Sequence, residues 1–122
     1  MINALGGDES NLDLAKYYAT RGNLVKVDMM VNDTGETALN VASQRGHLEV
    51  VKGLLAAKVD KDKADKGGDT PLIWAAKGGH VGVVTALVEA GADKDKADEG
   101  GSTPLICAAD KGHVEVVTAL VE

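Results

Sequence analysis

The sequence predicts an all-α solenoid, in which short helix-turn-helix units stack side by side and hairpin-like loops connect them. Three observations predict this fold. A period of 33 residues relates Thr37, Thr70 and Thr103, and an internal period of this size is typical of repeat architectures. Of the 122 residues, 44% are hydrophobic but only 2% are aromatic, so the core is expected to consist of closely packed Ala, Val and Leu. The 15 glycines indicate frequent tight turns between small units.

The period extends along whole segments rather than single positions. It relates Gly46, Gly79 and Gly112, then His47, His80 and His113, then Val50, Val83 and Val116, and finally Leu54, Leu87 and Leu120. Residues 69–89 and 102–122 are nearly identical. The last two units therefore look like a recent duplication.

Each unit is predicted to begin with a short helix. The Thr70 hydroxyl can accept a hydrogen bond from an unpaired N–H of the first helical turn, and Pro71 loses nothing at the first helical position. The same pair recurs at Thr103–Pro104. Small alanines in the helix allow a neighbouring backbone to approach. Gly79 is expected to end the helix in the left-handed conformation.

A second helix is predicted directly after this glycine. Val81, Val84, Leu87 and Val88 recur at spacings of three and four residues, which gives the helix one apolar face before Gly91 ends it. Neither helix is long enough to be stable alone. The segment that follows has no apolar period and alternates Asp with Lys, so it is predicted to be a solvated, turn-rich connection.

This order of elements, together with one motif, resembles the ankyrin repeat family. The segment from Gly68 to His80 carries the frame G-x-T-P-L-x-x-A-A-x-x-G-H without a gap, and Gly101 to His113 carries it again. The segment from Gly35 to His47 is a looser copy, with Ala38 in place of proline and Ser43 in place of the second alanine. The resemblance implies a stack of helix pairs that binds other proteins and has no catalytic centre.

The resemblance also predicts how the chain is divided. Residues 21–27 align with residues 45–51 at an offset of 24, so the first unit is shorter and looks like an amino-terminal cap. We expect a flexible tail at 1–9 and an ankyrin repeat domain at 10–122, made of a cap (10–31), repeat 1 (32–64), repeat 2 (65–97) and a truncated repeat 3 (98–122).

The sequence departs from the regular repeat pattern in two places. Terminal repeats need a polar outer face, yet the last helix keeps the apolar pattern of the preceding unit, at Val114, Val117, Leu120 and Val121. This predicts a fragment of a longer array, or an end that frays or associates with another molecule, including a second copy of the chain. Lys58 stands where Gly91 stands one period later, so the first connection is expected to be the weaker one.

Composition disfavours several classes of function. The formal net charge of −6 opposes contact with phosphate backbones, and Tyr17, Tyr18 and Trp74 are too few to stack on bases. We therefore predict no nucleic acid partner. Cys107 is the one cysteine, so no intrachain disulfide forms, and this usage fits a reducing compartment. Signal-peptide and membrane-span patterns are absent, so we expect a soluble cytoplasmic protein, with the nucleus not excluded.

The sequence also gives little support for metal binding or catalysis. The histidines His47, His80 and His113 recur once per repeat, and equivalent positions of stacked helices lie about 8–10 Å apart, too far to share one zinc ion. A ladder of His hydrogen bonds to neighbouring turns is the favoured interpretation. Cys107 lies between apolar and small residues mid-helix, which favours packing over nucleophilic chemistry. We predict that the chain is not an enzyme and that it binds neither a metal ion nor a cofactor.

A partner-binding surface is predicted from the positions at which nearly identical repeats differ. Such positions are free of the packing constraint or serve individual contacts. In the last two repeats they include Lys66, Asp69, Trp74, Lys77, Gly78, Glu99, Ser102, Asp110 and Lys111. The matching positions of the looser first copy are Asp33, Glu36, Gln44 and Arg45. Most fall at loop tips or on first helices, and the resemblance implies that targets bind to these tips and to the concave face of the first helices.

Three alternatives stay open at this point. The differences between repeats also fit neutral drift on a solvated face. Trp74 fits either packing between repeats or contact with a partner. The favoured function is a non-enzymatic protein–protein interaction module, and the alternative is a designed or reconstructed repeat scaffold without a natural target, which the near-identity of the last two repeats suggests. Acidic and basic side chains nearly balance on the predicted surface, so it predicts no charge for the partner.

Overall fold

Within the residues that the structure describes, the chain forms three successive helix pairs, and each pair corresponds to one predicted repeat. The structure, a computed structural model, describes residues 15–17, 19–22 and 34–122. The helices are α1 (Ala38–Arg45), α2 (Leu48–Ala56), α3 (Pro71–Gly78), α4 (Val81–Glu89), α5 (Pro104–Lys111) and α6 (Val114–Val121). Residues 15–17 and 19–20 are also helical, and these described ranges contain no strand. The predicted all-α class is confirmed. The predicted tail and much of the cap lie outside the described residues.

The first helix of each repeat starts at a threonine, as predicted. The side chains of Thr37, Thr70 and Thr103 accept hydrogen bonds from the backbone N–H groups three residues later, at 3.2, 3.2 and 3.3 Å. Proline follows the cap in repeats 2 and 3, where its missing N–H has no helical partner to lose. The start of each repeat is therefore fixed locally by the sequence.

The tight turn between the two helices of a repeat requires glycine for two reasons. Gly46 and Gly79 end α1 and α3 in the left-handed region, at φ 74° and 70°. A Cβ at Gly46 would also lie 2.6 Å from Nδ1 of His80, and one at Gly79 would lie 2.7 Å from Nδ1 of His113. A larger residue would therefore meet both backbone strain and a collision with the next repeat.

The same histidines connect neighbouring repeats. His80 Nε2 lies 3.0 Å from the carbonyl oxygen of Gln44, and His113 Nε2 lies 3.1 Å from the carbonyl oxygen of Lys77. These carbonyls belong to the last turn of a first helix, where no intrahelical N–H is available. The predicted ladder of His hydrogen bonds is confirmed for these two pairs.

The core lies between a layer of first helices and a layer of second helices. Helix α3 packs between α1 and α5, and α4 packs between α2 and α6. The largest fully buried apolar side chains are Leu39, Val51, Leu54, Leu72, Ile73, Val83, Val84, Leu87 and Val116. Small alanines at the contacts, such as Ala42, Ala75 and Ala108, are completely buried. The apolar seam runs continuously through all three repeats.

The connections between repeats are hairpins, as predicted. In the hairpin before α3, the N–H of Asp65 donates to the carbonyl of Asp69 at 3.0 Å, and the hairpin before α5 is closed in the same way. Neighbouring tips are also joined, because the N–H of Lys66 donates to the carbonyl of Thr34 at 3.0 Å and that of Glu99 to the carbonyl of Gly67 at 3.2 Å. The tips therefore form one row beside the first helices.

Lys58 adopts the left-handed conformation, with φ 67°, at the position that Gly91 occupies with φ 92° in the next repeat. We predict that Lys58→Gly raises the free energy of unfolding by up to about 1 kcal/mol, because the Cβ that clashes in this conformation is removed. Urea denaturation at neutral pH measures the change. Gly91→Lys is the matched control and should lower the free energy of unfolding. A Lys58→Gly protein that is less stable than the parent chain would contradict the prediction.

Candidate protein-binding surface

The predicted partner-binding residues lie along the row of tips and the adjoining ends of the first helices. Asp33 lies outside the described residues. Six of the predicted positions are exposed, namely Gln44, Lys66, Gly78, Glu99, Asp110 and Lys111. Six are partly buried, namely Glu36, Arg45, Asp69, Trp74, Lys77 and Ser102. All twelve described positions therefore keep accessible surface.

Trp74 is attached to the tip of its own repeat. Its indole Nε1 donates a hydrogen bond to Oδ2 of Asp65 at 2.9 Å. The other oxygen of Asp65 accepts from the backbone N–H groups of Gly67 and Asp69, both at 3.0 Å, and so shapes the turn. One carboxylate thus holds both the hairpin and the tryptophan ring in fixed positions.

Lys77 completes this arrangement from the following helical turn. It lies three residues after Trp74, on the same helix face, and its Nζ is 4.9 Å from the centre of the indole ring. The same Nζ lies 3.2 Å from Oδ1 of Asp69, with 30% of the Lys77 side chain and 14% of the Asp69 side chain exposed. We refer to Asp65, Asp69, Trp74 and Lys77 as the Trp74 cluster.

Repeats 1 and 3 do not reproduce this cluster. The positions equivalent to Trp74 hold Val41 and Cys107, whose side chains are buried, whereas Trp74 remains partly exposed. In repeat 3, Ser102 and Asp110 replace Asp69 and Lys77, so an ion pair at this position exists in repeat 2 but not in repeat 3. Of the predicted residues, the structure brings Asp69, Trp74 and Lys77 together.

Two carboxyl groups meet between the tips of repeats 2 and 3. Burial, followed by a hydrogen bond with Asp98, raises the pKa of Asp69, while Lys77 opposes the rise. The pKa of Asp98 is lowered, first by the hydrogen bond from the backbone N–H of Ser102 and then by the hydrogen bond with Asp69. Asp69 is therefore the member of the pair that takes up a proton first.

The comparison of repeats missed Asp65, the central residue of the cluster. Its equivalent in repeat 3 is also an aspartate, Asp98, and a search for differences cannot find a position that is the same in both copies. The local sequence offers a different signal. In both repeats an Asp precedes two glycines within the hairpin, and its side chain accepts backbone hydrogen bonds there.

The described ranges 15–17, 19–22 and 34–122 lack the features of a metal site, a reactive cysteine or a membrane-spanning helix. They contain no group of three or more His, Cys, Asp or Glu side chains that could hold a metal ion. Burial raises the pKa of the Cys107 thiol, which favours the unreactive protonated form. None of the helices in this part of the chain is both long and apolar enough to span a membrane.

The carboxyl pair predicts a pH dependence of stability. Because the pKa of Asp69 is raised above its ordinary value of 3.8, the folded state binds a proton that the unfolded state has released. Its contribution to stability is present at low pH and is lost as the pH rises through the raised pKa. Asp69→Asn keeps a donor for Asp98 at every pH, so its free energy of unfolding relative to the parent chain should increase across this window.

Urea denaturation from pH 4 to pH 7 measures this difference. Lys77→Met serves as a second variant, because loss of the neighbouring positive charge should move the pKa of Asp69 further upward and extend the window. Parallel stability curves for Asp69→Asn and the parent chain would contradict the prediction.

Comparison with known proteins agrees with the fold and the motif. A family model described as ankyrin repeats (3 copies) matches residues 4–98 and residues 51–122, which together span nearly the whole chain. A search among curated proteins found no matching relative. The family match therefore rests on the repeat itself: the threonine cap, the glycine–histidine turn and the hairpin recur together in register. The chain belongs to the ankyrin repeat family.

Proposed function

We propose that the chain is a non-enzymatic module that binds another protein through its hairpin tips and the concave face of its first helices. Ankyrin repeats are generally protein–protein interaction modules. The observation that carries the proposal is the partly exposed ring of Trp74, held by Asp65 and Lys77 where the tip of repeat 2 meets α3. The surface on either side is polar and accessible.

The Trp74 cluster has the properties of a binding anchor. Tryptophan is among the residues that contribute most to interface free energies when a partner covers it. The hydrogen bond to Asp65 and the contact with Lys77 fix the ring before binding, so little side-chain entropy remains to be lost. Lys77 is already paired with Asp69, which favours an apolar or planar partner side chain over a charged one.

We also propose a domain organisation and a cellular location for the chain. We propose the tail at 1–9, the domain at 10–122, and the cap and three repeats with the boundaries given above. A cytoplasmic location is also a proposal, supported by the single free cysteine of the chain. The alternative, a designed or reconstructed scaffold without a natural target, is supported by the near-identity of repeats 2 and 3.

Trp74→Val tests the proposed anchor, because valine is the residue that this chain has at the equivalent position in repeat 1. Proteins captured from lysate by the parent chain are compared with those captured by the variant, and each captured protein is then purified and titrated. We expect the dissociation constant of the partner to rise about tenfold or more, since a central aromatic anchor is lost.

Two further variants separate binding from folding. Glu89→Gln on the exposed face of α4 should bind like the parent chain, and the triple change of Lys66, Asp69 and Lys77 to Ala should weaken binding. Equal affinity of all the variants would reject the surface. Capture of no specific protein by the parent chain would favour the scaffold alternative.

A second proposal concerns the apolar end of repeat 3. Val114, Val121 and Ile106 are 73%, 64% and 52% exposed, whereas Ile73, the equivalent of Ile106 in repeat 2, is completely buried by repeat 3. The same isoleucine position thus faces solvent in repeat 3 and the next helix pair in repeat 2. We infer that a second copy of the chain covers this end in solution.

Sedimentation velocity over a range of protein concentrations tests this inference. We expect a concentration-dependent dimer that Ile106→Lys abolishes, because a charge at this position cannot be buried in the contact. Glu115→Gln, on the exposed side of α6, is the control and should leave the dimer intact. A monomer at all concentrations would contradict the inference. Poor protection of the α6 amides from exchange would then indicate that the end frays instead.

A further inference from the structure

The two interfaces between repeats differ in the residues that they bury. We call the interface between repeats 1 and 2 joint 1, and that between repeats 2 and 3 joint 2. Ile73 is completely buried, whereas its equivalent in repeat 3, Ile106, is 52% exposed, so this position faces the following repeat. Its equivalent in repeat 1 is Asn40, which is also 0% exposed and therefore lies in joint 1. By the same comparison Ser43 lies in joint 1 where Ala76 lies in joint 2.

Both polar side chains in joint 1 have an unsatisfied atom. The Asn40 amide donates from Nδ2 to the carbonyl of Lys63 at 3.2 Å, but its Oδ1 is buried without a hydrogen-bond partner. The Ser43 hydroxyl is likewise buried without a partner. Asn40 and Ser43 are three residues apart, so they face the same side of α1. Joint 1 therefore buries two polar atoms that lose their hydrogen bonds to water and form none within the protein. The unmade hydrogen bonds lower the stability of this interface.

Two kinds of hydrogen bond cross both joints. Each joint has one bond between hairpin tips and one from a histidine to a helix-end carbonyl. The pairs are Lys66–Thr34 and His80–Gln44 in joint 1, and Glu99–Gly67 and His113–Lys77 in joint 2. Joint 1 is also crossed by two exposed bonds to Asp62, from the N–H of Asp93 to Oδ1 at 3.0 Å and from Lys96 Nζ to the carbonyl at 3.1 Å. Joint 2 is also crossed by a bond from Lys94 Nζ to the carbonyl of Leu120 at 3.5 Å and by the side-chain bond between Asp69 and Asp98. In the buried seam the joints differ because joint 2 has Ile73 and Ala76 where joint 1 has Asn40 and Ser43.

We propose that joint 1 is a built-in break point of the array, at which α1 and α2 open as a unit while repeats 2 and 3 stay folded. In a solenoid each repeat contacts only its neighbours, so the weakest interface sets where the chain opens first. Opening relieves the burial of Asn40 Oδ1 and Ser43 Oγ. It also separates Gln44 and Arg45 from the Trp74 cluster, so a partner that contacts both sides holds the joint closed.

Amide hydrogen exchange of the full chain under native conditions, read by peptide mass spectrometry, tests the proposal. We expect the amides of α1 and α2 to be at least about tenfold less protected than those of α3 and α4. Ser43→Ala removes one unsatisfied hydroxyl and keeps the bond from Asn40 to Lys63. It should raise the protection of α1 and α2 by about tenfold and leave α5 and α6 unchanged.

The reverse change supplies a matched control. Ile73→Asn with Ala76→Ser places the residues of joint 1 in joint 2, and it should lower the protection of α5 and α6 relative to α3. Asn40→Ile with Ser43→Ala should give the largest gain in α1 and α2. Equal protection of α1 and α3 in the parent chain, or no response of α1 to either joint 1 variant, would overturn the proposal.

Discussion

Burial of the apolar face of each repeat by the next repeat is the interaction on which the rest of the structure depends. Each of the helices α1 to α6 has only eight or nine residues, too few for stability in isolation. The contrast between a buried Ile73 and an exposed Ile106 shows what a following repeat provides. Threonine caps and glycine turns give each pair its shape, whereas the shared seam supplies the free energy that keeps it folded.

The sequence was sufficient to predict the fold because its signals are local and occur more than once. A cap such as Thr70, or a turn such as Gly79, can be recognised from a few neighbouring residues, and each copy supports the others. Burial of Asn40 and Ser43 was not predicted. A polar residue at a core position is compatible with many arrangements, and its hydrogen-bond partners lie in other elements that the repeat pattern does not specify.

The residues of the Trp74 cluster were found only in part, for a related reason. Comparison of repeats selects positions that vary, and it found Asp69, Trp74 and Lys77. It could not find Asp65, which is constant, although this carboxylate determines where the tryptophan ring lies. The contact spans nine residues and exists only after the hairpin has closed. Side-chain geometry of this kind follows from the folded loop rather than from composition or spacing.

The position of Trp74 also gives the protein an intrinsic optical probe. The chain has one tryptophan, so its indole fluorescence comes from a single ring beside the tip of repeat 2. Water contact shifts such emission to longer wavelength, and the hydrogen bond to Asp65 sets the spectrum of the undisturbed tip. A shift in the wavelength of maximum emission therefore reports on this one hairpin and its surroundings. Structural changes confined to the distant ends of the array leave the emission unchanged.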